Sequence, residues 1–253
     1  MENFIKREYR FSSILWIMII GGLTNYLLIK LISAIGGDNF IVDILGDLLT
    51  GIISFVFVFS LSSGLIRNRM GSVGDYLNQV NYLNGKVLTV GFLISIAQAI
   101  AQYAFSASGA VGVFSAVASP SNKSVFAIGT IILPIVCAII FLVLAIFFAY
   151  SNFYLADHYD SEDGVMTIIG KIFSQGKKLF KKTLILGLKW VGIPLIIFLG
   201  LIASVFLIKD EFLVWGLLSF YILVFAVIMV ITTIILMARL SDAYLDDRYE
   251  IQA

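Results

Sequence analysis

The chain has 253 residues, of which 60% are hydrophobic and only 13% are charged, and its mean hydropathy is +1.01. An ordinary soluble domain contains roughly 45–50% apolar residues, so this composition excludes that class and predicts an integral membrane protein. The formal net charge of +1 by itself predicts nothing about nucleic acid or acidic substrates, because in such a chain the distribution of charge matters more than its sum. We expect the lipid bilayer, and no nucleic acid, as a partner.

Six stretches reach the roughly 20 apolar residues that a transmembrane helix requires. The first is longer than a signal-peptide core and lacks an obvious cleavage site, which predicts a retained span. The sequence therefore predicts an all-α integral membrane fold, with one transmembrane domain over residues 1–253 whose six helices form three hairpins. The predicted spans cover residues 11–35, 41–66, 87–106, 124–155, 184–208 and 212–240.

Lysine and arginine residues concentrate in alternate connections. Most of these 17 basic residues lie in four places: before span one, between spans two and three, between spans four and five, and after span six. By the positive-inside rule, this pattern places both termini in the cytoplasm. The lysine- and isoleucine-rich composition favours the cytoplasmic (cell) membrane of a Gram-positive bacterium.

A lysine-rich amphipathic segment precedes the fifth span. At about 100° per residue, its apolar side chains project within one arc and its lysines within the opposite arc. This pattern predicts an in-plane helix over about residues 163–182, with Asp160 as its N-cap, attracted to anionic lipids by about 1 kcal/mol per basic residue. Its apolar face could instead pack under the cytoplasmic ends of the bundle, and both alternatives stay open. The lysines are Lys171, Lys177, Lys178, Lys181 and Lys182.

A shorter amphipathic segment follows the second span. Ser72 and Asp75 have the spacing of a capping box. Apolar residues from Val73 to Leu83 share one side at helical spacing. The segment therefore predicts a second cytoplasmic elbow helix. Further along, the Ser-, Gly- and Ala-rich residues 105–124 predict a flexible loop or a broken segment at the membrane interface.

Three segments carry a resemblance to a known family: SLSSGLIRNRMGSVGDYLNQVNYLNGK, AYSNFYLADHYDSEDGVMTIIGKIFSQGKKLFKK and ARLSDAYLDDRYE. With them the chain resembles an uncharacterised family of bacterial six-span membrane proteins, related to the membrane domain of glycerophosphoryl diester phosphodiesterases. The resemblance covers most of the chain and implies fold and topology. The catalytic domain of those phosphodiesterases uses two histidines and metal-binding carboxylates, whereas this chain has one histidine, so lipid hydrolysis is not implied.

Polar residues recur on one face of the third span. Ser95, Gln98 and Gln102 share a helix face with Gly91, and Asn25 lies near the middle of span one. An amide facing lipid would be left unsatisfied, so this stripe should face protein or water. It serves either as a set of interhelical hydrogen bonds or as the lining of a polar pathway.

Catalytic motifs are missing from the sequence. It contains no GxxxxGK[ST] phosphate loop, GxSxG elbow or HExxH pair, and the acidic surroundings of His158 match no metal-site spacing. We expect no cofactor and no enzymatic activity. The leading expectation is a membrane subunit or accessory of a transport, export or self-protection (immunity) system that handles amphipathic peptides or lipids, with a separate ATPase or another membrane protein as partner. The alternatives are a stand-alone small transporter or channel and, less favoured, a membrane-embedded lipid enzyme.

Overall fold

The structure is a computed structural model that describes residues 5–36, 40–118, 132–205 and 211–252. All regular secondary structure within these ranges is helical. A short 3₁₀ helix, Asn78–Tyr82, and a π-helical turn, Leu188–Gly192, connect neighbouring α-helices. The α-helices are α1 (Phe11–Gly36), α2 (Phe40–Arg67), α3 (Val73–Leu77), α4 (Gly85–Ala118), α5 (Leu133–Phe147), α6 (Ser151–Asp157), α7 (Val165–Lys178), α8 (Phe180–Gly187), α9 (Ile193–Val205) and α10 (Glu211–Gln252).

Six helical stretches are long and apolar enough to cross a membrane, as the sequence predicts. Their outward side chains are large and apolar: Leu27, Ile196 and Leu223 are 63%, 69% and 65% exposed. Apolar surface of this extent suits a lipid environment rather than water. The chain is therefore a multi-pass, all-α membrane protein. The six stretches are Phe11–Ile35, Leu45–Arg67, Gly85–Ser108, Leu133–Asp157, Phe180–Val205 and Leu213–Tyr249.

Consecutive spans pack against each other. The helix α1 lies along α2, α4 lies along α5, and α9 lies along α10, while α2 also packs against the short α6. Buried side chains concentrate at one end of this bundle, which we call the polar end. It comprises residues 5–17, 59–87, 146–186 and 232–249, and it holds most of the described buried core.

Two spans contain irregular turns. The fourth, predicted as continuous over 124–155, is interrupted between α5 and α6 by a turn at 148–150. The fifth contains the π-helical turn Leu188–Gly192 just before Pro194. Proline lacks an N–H and clashes with the carbonyl four residues earlier, here that of Trp190, and a wider turn relieves that clash.

Several observed boundaries differ from the predicted ones. The predicted loop over 105–124 is helical as far as Ala118, and α10 continues to Gln252, well beyond the predicted end at 240. Hydropathy alone cannot detect such extensions, because it reports apolar runs rather than helix ends. Residues 119–131 and 206–210, within the predicted loop and spans four and five, lie outside the described residues.

The predicted in-plane helix over 163–182 is divided at Leu179. The helix α7 ends at Lys178, and Lys181 and Lys182 belong to α8, which starts the fifth span at residue 180 rather than 184. The expected Asp160 cap is wrong, because Gly164 precedes α7 and supplies no side-chain cap.

The predicted capping box after the second span is confirmed. The Ser72 hydroxyl accepts the backbone N–H of Asp75, and the Asp75 carboxylate accepts the backbone N–H of Ser72 at 2.7 Å. The capping box starts α3, and the Ser72 backbone N–H and hydroxyl that donate to the Asp75 carboxylate lower the pKa of that carboxyl group. The helix buries Tyr76, whose hydroxyl donates to the Arg69 carbonyl at 3.0 Å. Burial of the phenol raises the pKa of Tyr76 to about 12.

Candidate functional site at the polar end

A buried ion-pair cluster organises the polar end. The Asp242 carboxylate on α10 is fully buried, and it accepts hydrogen bonds from the guanidinium groups of Arg69 and Arg239 at 2.8 Å each. Arg69 also donates to the Ser241 hydroxyl at 2.7 Å and to the Glu8 carbonyl at 3.1 Å. The cluster therefore joins the N-terminal segment, the end of α2 and the last third of α10.

The protonation behaviour of Arg69 follows from this position. Burial lowers the pKa of its guanidinium group, while the neighbouring Asp242 carboxylate opposes that shift. An arginine remains charged in proteins because its unperturbed pKa lies above about 12. Arg69 therefore keeps its charge beside the buried Asp242 side chain, and the pair has a structural role.

The N-terminal segment is fastened to α10 through a second acidic residue. The Arg7 guanidinium lies 2.6 Å from the Asp246 carboxylate, which also accepts the backbone N–H of Ile5 at 2.8 Å. The backbone N–H of Arg7 points to Asp242 at 3.4 Å. Residues 5–7 therefore form part of the polar end.

The acidic loop that contains His158 is held by the segment around α3. The Arg67 guanidinium donates to the Ala156 carbonyl at 2.6 Å and lies 4.1 Å from the centre of the Tyr82 ring. Lys86 and Asn84 donate to loop carbonyls at 2.6 and 2.5 Å. The loop is thus a packed connection, and no group of three or more His, Cys, Asp or Glu residues suited to a metal ion occurs in the described part of the chain.

The amphipathic helix α7 packs its apolar face against the bundle. Ile168, Ile172 and Gly176 are buried, whereas Met166 is 76% exposed. On its polar side, Gln175 and Lys178 contact the nearly buried Asp247 carboxylate of α10 at 2.9 and 2.7 Å. The sequence left two alternatives for this face: contact with lipid, or packing under the bundle. The centre of the face packs under the bundle, whereas Met166 near the start of the helix stays exposed.

The five lysines of the predicted surface differ in their contacts. Lys171 pairs with Asp163 at 2.6 Å, and Lys178 pairs with Asp247 at 2.7 Å. Lys177, Lys181 and Lys182 make no ion pair or hydrogen bond with another described side chain. These three ammonium groups, which we call the free lysines, leave a local positive charge beside the packed residues of α7 and α8.

The Asp163–Lys171 pair predicts a pH effect on α7. Hydrogen bonds from Lys171 and Ser161 lower the pKa of Asp163 below its ordinary value of 3.8. A carboxylate with a lowered folded-state pKa stabilises the fold above its unfolded pKa, and that contribution disappears as pH falls through the folded value. The protection of the amides of residues 161–171 against exchange, relative to the unfolded chain at the same pH, should therefore fall below about pH 4. An Asp163→Asn variant should exchange faster at neutral pH and lose this acid-dependent step, and an unchanged step would contradict the assignment.

Within the described residues, the polar side chains of the spans are not joined into one hydrogen-bonded chain. The Asn25 side chain donates to the Ser54 hydroxyl on α2 at 2.8 Å, and its own carbonyl oxygen is buried with no partner among the described residues. Gln98 is half-buried and Gln102 is exposed, and neither hydrogen-bonds to another described residue. Ser95 lines an apolar groove between α2 and α4.

The sequence interpretation missed the ion-pair cluster around Arg69 and Asp242. One signal was present: the motif SDAYLDDRYE places Asp242, Asp246 and Asp247 at the end of a long apolar helix, where buried carboxylates need partners. Arg69, the chief partner of Asp242, lies 173 residues away in the chain.

Fold and site together define a multi-pass helical membrane protein. Its polar end is a packed region that contains buried ion pairs, and lysine residues lie at its surface. No protein-family model, curated protein or solved structure matches the chain. Its function is therefore argued from geometry and charge.

Proposed function

We propose that this protein is a non-enzymatic membrane subunit of a transport, export or self-protection system that handles amphipathic peptides or lipids. Its polar end is the docking surface for a separate ATPase or another membrane protein, and for anionic lipid headgroups. The observation that supports this proposal is the set of free lysines, Lys177, Lys181 and Lys182, beside a helix end that is held to α10 by the Lys178–Asp247 ion pair. Unpaired charge on a packed helix favours recognition, because the backbone that carries it is already ordered before binding.

The distribution of charge supports a cytoplasmic orientation for the polar end. Basic residues favour the cytoplasmic side of a membrane, and Arg7, Arg67, Arg69 and the free lysines all belong to this end. In that orientation the lysines face the compartment that contains ATP and the anionic leaflet of the bilayer. The resemblance to the membrane domain of glycerophosphoryl diester phosphodiesterases is compatible with the same layout, in a bacterial cell membrane.

Neutralising the free lysines tests this function. The triple variant Lys177→Gln/Lys181→Gln/Lys182→Gln should lose its co-purifying partner and should weaken binding to anionic vesicles by roughly tenfold or more, given about 1 kcal/mol per basic residue near the surface. Lys178 is left intact, because its ammonium group neutralises the buried Asp247. The measurements are affinity purification from native membranes with mass spectrometry, and vesicle co-sedimentation of the solubilised protein.

Two controls separate charge from folding. The variant Lys177→Arg/Lys181→Arg/Lys182→Arg keeps the positive charge and should retain the partner and the vesicle binding. Lys30→Gln removes a lysine far from the polar end and should leave both unchanged. Full partner recovery and unchanged vesicle binding by the glutamine variant would overturn the proposal.

A stand-alone transporter or channel is the second candidate, and the two glutamines of α4 that hydrogen-bond to no described residue favour it. Gln98 and Gln102 have no described partner and suit a polar pathway completed by water or a solute. In liposomes, Gln98→Leu or Gln102→Leu should abolish solute or ion flux without lowering the unfolding temperature. Tyr103→Leu, at an exposed position next to Gln102 and off the stripe, is the matched control. Absence of flux from wild-type protein would rule out this candidate.

A further inference from the structure

An apolar groove lies between α2 and α4, and its lining extends from Asp47 on α2 to Leu88, which directly follows the polar end on α4. Its volume is about 460 Å³. The two helices meet where the Phe55 ring packs against Gly91, leaving no room for a side chain there. The walls of the groove include Leu48, Gly51 and Ile52 from α2, and Phe92, Ile96 and Ala99 from α4.

Asp47 lies at the outer end of this groove. It precedes Arg67 by 20 residues on the same helix, which corresponds to about 30 Å at 1.5 Å per residue. That distance equals the hydrocarbon thickness of a typical bilayer. With Arg67 at one membrane interface, Asp47 therefore lies at the other, at the depth of lipid headgroups. Its carboxylate makes no ion pair or hydrogen bond with another described residue.

The groove is long enough to hold much of one lipid chain. It extends from Ala99 to Leu88 along α4, which is about 16 Å of helix and close to half the bilayer core. Most of its lining side chains are apolar, which suits a hydrocarbon chain.

We propose that this groove binds one acyl chain of a membrane phospholipid whose headgroup carries an ammonium group, and that Asp47 selects that headgroup. The ammonium group pairs with the Asp47 carboxylate at the interface, while an anionic headgroup without an ammonium group is repelled. The acyl chain lies against Gly51, where the missing side chain leaves open space. This site is separate from the free lysines and operates without a partner protein.

The test is native mass spectrometry of the full-length protein, purified in detergent with equal amounts of dioleoyl phosphatidylethanolamine and dioleoyl phosphatidylglycerol. The wild-type protein should retain the ethanolamine lipid about three- to fivefold over the glycerol lipid, the range expected of a partly exposed ion pair. Asp47→Asn should bring that ratio to about one while lipid is still bound. An unchanged ratio would overturn the role of Asp47.

Blocking the groove tests the acyl-chain site. Gly51→Phe projects a ring into open space and should reduce retained lipid by roughly tenfold, because the chain loses its packing contacts. Gly216→Phe on α10 is the matched control, since a side chain there also meets nothing within 4 Å and lies outside this groove. Ala99→Phe fills the same groove from α4. Lipid retention by this variant provides the test if Gly51→Phe fails to fold. Equal lipid retention by the groove variants and Gly216→Phe would overturn the proposal.

The same sample tests the rival occupant. A cationic amphipathic helical peptide added in equal amount should leave phosphatidylethanolamine bound. Displacement of the lipid by the peptide would assign the groove to peptides and overturn the inference. Because this experiment uses the purified protein alone, its failure is distinguishable from loss of partner recovery in the lysine variants.

Discussion

Gly176→Ala is expected to lower the unfolding temperature sharply, although it adds one methyl group. A Cβ at this position would lie 2.0 Å from the Phe147 carbonyl oxygen, and a backbone atom cannot rotate away as a side chain can. The substitution must separate α7 from the end of α5. We expect a cost of about 3 kcal/mol, at the upper end of overpacking effects, and a fall of roughly 6 °C or more for a chain of this size.

Gly170→Ala is the matched control for this prediction. It lies on the same helix, and a Cβ there meets nothing within 4 Å. Because alanine is the better helix former, this variant should be neutral or more stable by up to about 1 kcal/mol. Thermal unfolding of both variants in the same detergent and at the same scan rate makes the comparison. Equal unfolding temperatures would contradict the packing of α7 described here.

Asp242→Ala should also destabilise the protein strongly, for an electrostatic reason. The substitution leaves Arg69, whose side chain is 11% exposed, without its carboxylate, and it removes the partner of Arg239. Removing one member of a buried ion pair costs about 3–5 kcal/mol, because the remaining charge is desolvated and unpaired. Unfolding temperature and protease resistance of the N-terminal segment and of α10 should both fall.

The double variant Arg69→Met/Asp242→Leu distinguishes the cost of an unpaired buried charge from other destabilising effects of substitution at this site. Replacing both members of a buried pair by apolar residues of similar size is often near neutral, so the double variant should be more stable than Asp242→Ala. Asp163→Ala, which breaks a solvent-exposed pair with Lys171, should change the unfolding temperature little. A double variant no more stable than Asp242→Ala would show that Arg69 is not the source of the cost.

The sequence by itself determined the class of the protein and several local features. Six apolar runs of sufficient length predict six helical spans. A segment that crosses the hydrocarbon core meets no water there, so its backbone groups must hydrogen-bond to each other. The Ser72–Asp75 spacing predicts a capping box, because that interaction involves residues three apart. The helical periodicity of residues 165–178 predicts an amphipathic helix, whose apolar centre is buried. Each of these features depends on neighbours within one or a few helical turns.

Only the tertiary structure decided which charges are paired and which remain free. Lys177 and Lys178 are adjacent and chemically identical, yet Lys178 alone reaches Asp247, because α7 packs beside the end of α10. Asp242 meets Arg69 across 173 residues of chain, and Gly176 faces the Phe147 carbonyl because α5 ends there. Such contacts depend on how helices from distant parts of the chain pack in space, and periodicity along one helix carries no information about the partner it meets.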